Sequence, residues 1–197
     1  GKIGKARSFN GTSDYINAGN GTSLQIGHPL TLEVWVNPTT LSQTAYHIPV
    51  AKMNAGATTG FEMVIGNGTN SKAQWGTTSH GAFNSVVGTT ILNTNTWYYL
   101  VGTFDGTNMY IYVNGVMENS RNSPYSMAGN TTENMTFGRS PTGLYGFNGL
   151  IDEVRVDNTA RTADDIRQAY EIGKRTHPIT IDFVTNPQAA YSAGTSV

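Results

Sequence analysis

The 197-residue sequence contains no cysteine, and only 13% of its residues are charged. Without cysteine the chain can form neither a disulfide bond nor a thiolate zinc site. Its 12 basic and 13 acidic residues leave a net charge of -1, so we expect no binding to nucleic acid or to an anionic membrane through bulk charge. No apolar run reaches the roughly 18 residues that span a bilayer, and membrane insertion is therefore not expected.

The residues that replace charge are mainly Gly, Asn, Thr and Ser, which favour turns and are compatible with strands. Short strand-like segments alternate with these turns, and Asp105-Gly106 and Asn114-Gly115 are typical of tight hairpins. The clearest strand patterns lie at 30–36, 61–65, 97–104, 109–113, 136–138 and 150–156, and weaker ones lie at 73–76 and 83–87. The pattern predicts an all-β antiparallel sandwich.

One helix is predicted near the end of this pattern. Thr162-Ala-Asp-Asp165 resembles a capping box, and Ile166, Ala169 and Tyr170 form an apolar stripe at helical spacing. We expect Gly173 to end this helix.

Five motifs follow one another at 8–16, 30–38, 97–106, 110–115 and 146–155. In this order and spacing they resemble the laminin-G-like, concanavalin A-like lectin/glucanase jelly rolls of secreted multi-module proteins. The resemblance covers residues 1–175 and implies one sandwich domain with a short C-terminal helix. Residues 176–197 contain a strand-like run, Ile179–Val184. They are either an extra strand of this domain, which we favour because it would cover a sheet edge, or the start of a following module.

An acidic residue interrupts the last strand pattern. Alternation predicts that Leu150, Asp152, Val154 and Val156 share one face, and a carboxylate among buried positions must be hydrogen-bonded or neutralised. The resemblance implies a structural calcium ion that ties the first strand to the last. Its matching ligands would be Asp152, Asp14 and Asn10. The alternative is that Asp14 and Asp152 accept hydrogen bonds from backbone N–H groups.

Aromatic side chains in irregular, polar segments are the candidates for ligand recognition. They are Trp75, Tyr46, Tyr125 and Tyr145, together with His80. Trp75 is the first choice because its neighbours are polar, although it could equally fill the sandwich. The aromatic residues of the regular strands, such as Trp35 and Tyr99, are expected to pack in the core or on a sheet face.

Catalysis is not favoured by the sequence. Glucanases of this fold use two carboxylates on one face of a strand, whereas the adjacent Asp152 and Glu153 would point to opposite faces. The four histidines lie in separate predicted loops. We therefore predict a non-catalytic extracellular or cell-surface module of a larger multi-module chain, which binds carbohydrate or a surface protein. Two alternatives stay open: a structural or adhesin subunit that assembles with its own copies by strand pairing, and a divergent glycoside hydrolase or polysaccharide lyase.

Overall fold

The computed structural model describes residues 1–42, 45–54, 59–66, 69–79, 82–123 and 132–175. Within these ranges the chain forms twelve strands, which build two antiparallel six-stranded sheets, and one α-helix. The strands are β1 (Arg7–Asn10), β2 (Ile16–Gly19), β3 (Leu30–Pro38), β4 (His47–Met53), β5 (Gly60–Ile65), β6 (Lys72–Ser79), β7 (Ala82–Ile91), β8 (Tyr98–Phe104), β9 (Asn108–Val113), β10 (Val116–Asn122), β11 (Met135–Phe137) and β12 (Asn148–Asp157). The helix is α1 (Ala163–Lys174).

The first sheet has the strand order β1-β12-β3-β8-β9-β10, and the second has the order β2-β11-β4-β5-β6-β7. The last strand thus lies between the first and the third, as in a jelly roll. The predicted sandwich is confirmed. Strands β1, β2, β4 and β10 are not among the predicted strand segments, and His47, expected in a loop, is the first residue of β4.

The core lies between the two sheets and is built from alternate residues of each strand. In β3, for example, Leu32, Val34 and Val36 face the core. Trp75 of β6 fills the centre of this core, because Gly102 of β8 leaves room for its indole ring. The aromatic residues of the intervening positions face outward, so Trp35 stacks on Tyr99 at a centroid distance of 5.1 Å.

Helix α1 covers part of this outer face of the first sheet. Thr162 and Asp165 form the predicted capping box, and Ile166 is fully buried against Trp35 and Tyr99. Gly173 lies inside the helix rather than ending it. A Cβ atom there would approach Trp35 Cζ2 to 2.8 Å, so glycine serves the close packing of the helix on the sheet.

The prediction that Asp152 shares one face of the last strand with Val154 and Val156 is wrong. The register of β12 shifts between Asp152 and Arg155, and Glu153 has a positive φ of 47°. Ile151 faces the core before this bulge, and Val154 and Val156 pack against the core after it. Asp152 therefore lies on the outer face, opposite Trp35 of β3, and not among the core residues.

Side chains of β10 bridge the two sheets at one side of the sandwich. Glu118 Oε2 accepts hydrogen bonds from the backbone N–H groups of Thr89 and Thr90 in β7. Asn119 and Arg121 donate to the carbonyl oxygens of Val87 and Ser85 in the same strand. Strand β7 thus has part of its free edge occupied by side chains from the other sheet.

Candidate functional site

A pocket of about 470 Å³ lies on the outer face of the second sheet. Its floor comes from residues of β4, β5 and β6 that alternate with the core residues, and one wall comes from the loop between β11 and β12. We call it the tyrosine pocket. It is lined by Tyr46, Ile48, Met53, Asn54, Glu62, Val64, Gln74, Ser140, Thr142, Leu144 and Tyr145.

Two tyrosine rings stand at this pocket although they are far apart in sequence. The side chains of Tyr46 and Tyr145 are 40% and 49% exposed, and their rings meet edge to face with centroids 5.4 Å apart. Leu144 beside them is 57% exposed. Large apolar side chains that stay in water at the rim of a pocket offer ready contact area to a ligand.

The loop that carries Tyr145 is held in place by backbone hydrogen bonds. Tyr145 O accepts from Ile48 N at 2.9 Å, and Ser140 N donates to Leu144 O at 3.0 Å. The fully buried Phe147 anchors its end in the core. Tyr145 itself has a φ of 59°, which is uncommon for a residue other than glycine and has to be imposed by its surroundings. The backbone that carries the ring of Tyr145 is therefore held in place before any ligand arrives.

The floor of the pocket combines two apolar side chains with two planar polar ones. Ile48 and Val64 belong to a small apolar cluster, and Glu62 and Gln74 lie next to them on β5 and β6. Burial raises the pKa of the Glu62 carboxyl to about 7. The Oε1 atom of Gln74 is buried and has no hydrogen-bond partner.

The structure brings together two of the five predicted ligand residues, Tyr46 and Tyr145. The prediction that Trp75 binds the ligand is wrong. Its side chain is fully buried in the core and faces away from the pocket, so it offers no ring to a ligand. His80 and Tyr125 lie outside the described residues. Glu62 and Gln74 line the pocket but were not predicted from the sequence as ligand residues. The signal that could have indicated Glu62 is an acidic residue within the apolar strand Phe61–Ile65.

The predicted calcium ligands do not form one site. Asn10 pairs with Asn148 of β12, whereas Asp152 lies four residues further along that strand, or about 13 Å away. Calcium-oxygen distances are only about 2.3–2.6 Å, so a single ion cannot reach both positions.

The side-chain oxygens of Asp152 and of the loop with Asn10 and Asp14 also already accept hydrogen bonds. Asp152 Oδ2 accepts from Lys2 N and Ile3 N at 2.7 and 3.0 Å, and its Oδ1 accepts from Glu153 N. Asn10 Oδ1 accepts from three backbone N–H groups of its own loop, and Asp14 Oδ2 accepts from Asn10 N. Backbone N–H groups do not coordinate a cation, so this donor set does not fit calcium. Within the described ranges, no group of three or more His, Cys, Asp or Glu side chains could hold a metal ion.

Helices that could span a membrane, by length and apolar character, do not occur in the described part of the chain.

The structure resembles solved binding domains of low sequence identity. Domain 4 of AbnA, a GH43 extracellular arabinanase from Geobacillus stearothermophilus, solved in complex with arabinotriose, aligns with a TM-score of 0.65 and 21% identity, over 85% of this chain and 77% of that chain. The CBM40 of the Ruminococcus gnavus IT-sialidase, bound to α2,3-sialyllactose, aligns with a TM-score of 0.70 and 11% identity, over 84% and 96% of the two chains. The binding domain of Paraclostridial Mosquitocidal Protein 1 aligns with a TM-score of 0.69 and 12% identity, and the match covers 86% of this chain but only 44% of that chain.

No curated protein matches the chain in sequence. The family model for the concanavalin A-like lectin/glucanases superfamily, of laminin G type, matches residues 10–167, which is most of the chain. This match and the two antiparallel sheets agree, and the chain therefore belongs to the concanavalin A-like lectin/glucanase superfamily.

Proposed function

We propose that this chain is a non-catalytic carbohydrate-binding module of a secreted or cell-surface multi-module protein, and that it binds its ligand in the tyrosine pocket. The observation that carries the proposal is the pair of exposed rings, Tyr46 and Tyr145, held edge to face above a partly apolar floor. A sugar ring presents C–H groups on its faces and hydroxyl groups around its edge. Aromatic rings and planar polar side chains are complementary to these two features.

The size and composition of the pocket support a small organic ligand. Its volume of about 470 Å³ lies within the usual range for ligand sites, roughly 300–1,000 Å³. It combines apolar and aromatic side chains with a few polar groups, notably Glu62 and Gln74. The similar structures add support, because two of them are modules solved with bound oligosaccharides.

The presence of one carboxyl group among the described lining residues supports binding rather than catalysis. Among the described residues that line the tyrosine pocket, Glu62 is the single acidic side chain. Retaining and inverting glycosidases both need a pair of carboxyl groups, one on each side of the scissile bond. We therefore infer that a bound glycan leaves this pocket unchanged.

The test is glycan binding by variants that remove one ring at a time. Tyr46→Ala and Tyr145→Ala should each weaken binding by about tenfold, which corresponds to about 1.4 kcal/mol. Tyr15→Ala is the matched control, because Tyr15 is also exposed, at 46%, but does not line the pocket. Isothermal titration with oligosaccharides selected on a glycan array measures the affinities. Unchanged binding by both pocket variants would refute the assignment of the site, and no binding to any glycan would refute the proposed function.

A further inference from the structure

We propose that the tyrosine pocket selects neutral saccharides, whose hydroxyl groups donate hydrogen bonds to Gln74 and Glu62, over saccharides that carry a carboxylate. This inference rests on the proposed function and specifies the class of glycan that the pocket binds. It follows from the polar groups that the pocket offers to a ligand and from the charge of its lining.

Gln74 supplies an acceptor that only a donor can satisfy. Its side chain is 7% exposed, yet its Oε1 atom has no hydrogen-bond partner. A buried acceptor without a partner is unfavourable, and buried polar groups normally find one. Gln74 lines the pocket, and a turn of its buried terminal amide towards the opening would let a ligand that enters donate the missing hydrogen bond. A sugar hydroxyl is such a donor, whereas a carboxylate can only accept.

The charge of the lining disfavours an anion. No Lys, Arg or His side chain is among the described residues of the tyrosine pocket, and its charged group is Glu62. Carboxylates are usually recognised by charge-assisted donors, with arginine foremost among them. An acidic sugar would lose its hydration here without such a donor and, above the pKa of about 7 of the Glu62 carboxyl, would also face its negative charge.

The hydroxyl groups of the loop do not compensate for this lack of cations. Ser140 Oγ and Thr142 Oγ1 lie 3.0 Å apart and form a hydrogen bond with each other. Ser140 Oγ also accepts from the backbone N–H of Thr142. One of the two hydroxyl protons is thus engaged within the loop, and neither residue offers a carboxylate a cationic donor.

The experiment compares matched oligosaccharides that differ only at C6. Three pairs serve as probes: gluco- and glucurono-, galacto- and galacturono-, and manno- and mannurono-oligosaccharides. Titrations are run at pH 8, where Glu62 is mostly ionised because its pKa is about 7. In each pair that binds, the neutral member should bind at least about tenfold more tightly, which is about 1.4 kcal/mol. Equal or tighter binding of an acidic member overturns the inference, while binding of neither member in any pair overturns the proposed function on which it rests.

A charge-neutral variant tests the part played by Glu62. Glu62→Gln should raise the affinity for the acidic member and thereby reduce the neutral-to-acidic ratio severalfold. Glu171→Gln is the matched control, since Glu171 is an exposed acid on helix α1 and should leave the ratio unchanged. Thermal melts show whether each variant keeps the fold. A ratio that Glu62→Gln leaves at the wild-type value would overturn the role of Glu62.

Discussion

Gly102 and Trp75 offer a direct test of how the core of this sandwich is packed. A Cβ atom at Gly102 would lie 2.2 Å from Cδ2 and 2.5 Å from Cγ of the Trp75 indole. Carbon atoms in contact are normally about 3.5–4.0 Å apart, so one of the two groups must move by more than about 1 Å. Trp75 is fully buried and has no solvent side to move into. We therefore predict that Gly102→Ala lowers the free energy of unfolding by about 1–3 kcal/mol, or roughly 2–12 °C in Tm for a domain of this size.

A double-mutant cycle separates this contact from other effects of alanine in a strand. Trp75→Leu alone should cost about 2–4 kcal/mol because it leaves a cavity. In that background Gly102→Ala should cost at least about 1 kcal/mol less than in the wild type, since its methyl group then enters the vacated space. Gly21→Ala is the control, because a Cβ at Gly21 meets nothing within 4 Å and no positive φ opposes it.

Urea denaturation followed by far-UV circular dichroism gives the four free energies. Equal stability of Gly102→Ala and the wild type would refute the packing argument. Glycan binding provides an independent check with Trp75→Phe, which keeps an aromatic ring and removes a buried N–H that lacks a partner. A loss of binding by this variant at unchanged stability would return Trp75 to the list of ligand residues.

Two further predictions concern the carboxylates. Asp152→Ala removes the acceptor of Lys2 N, Ile3 N and Glu153 N and should lower the free energy of unfolding by about 1–3 kcal/mol. Thermal melts should show the same loss with calcium and with chelator, whereas a loss that disappears in chelator would show that Asp152 holds an ion. The pKa of Glu62 is about 7 in the folded chain, against 4.5 for the exposed side chain, so the unfolded state loses its proton first as the pH rises. The stability due to Glu62 is therefore complete below pH 4.5 and is lost as the pH rises through about 7, by on the order of 1–3 kcal/mol. Glu62→Gln should remove this slope, and identical pH profiles of the wild type and Glu62→Gln would contradict the assignment.

The fold was predictable because each strand carries its own pattern and the turns carry theirs. Strand β3 shows a simple alternation in the sequence, and Asp105-Gly106 forms the expected turn, where Gly106 has a positive φ of 101°. The bulge in β12 was not predictable. It depends on a positive φ at Glu153, a residue type that does not by itself favour that conformation.

Trp75 shows how a local pattern can mislead. Its polar neighbour Gln74 belongs to the opposite face of β6, because successive residues of a strand point to opposite sides. The polarity of Gln74 describes the outer surface and says nothing about the face on which the indole lies. A strict two-residue period would have placed Trp75 in the core.

The candidate site was only partly predictable for a different reason. Tyr46 and Tyr145 could be selected as single residues, since each lies in a polar segment. Their contact depends on the antiparallel pairing of β4 with β11, which brings the loop after β11 beside the start of β4. No local signal in the sequence encodes that distance.

The side chains that β10 places on the edge of β7 have a consequence for the chain in a crowded setting. Tandem or densely displayed copies expose their sheet edges to one another at high local concentration, and an unpaired edge is the template on which such copies polymerise. Here Glu118, Asn119 and Arg121 already occupy four backbone groups of β7, so an incoming strand would have to displace hydrogen bonds that the folded chain makes with itself. The edges on the other side, β1 and β2, are only four residues long each. We therefore expect neighbouring copies to resist strand pairing through β7.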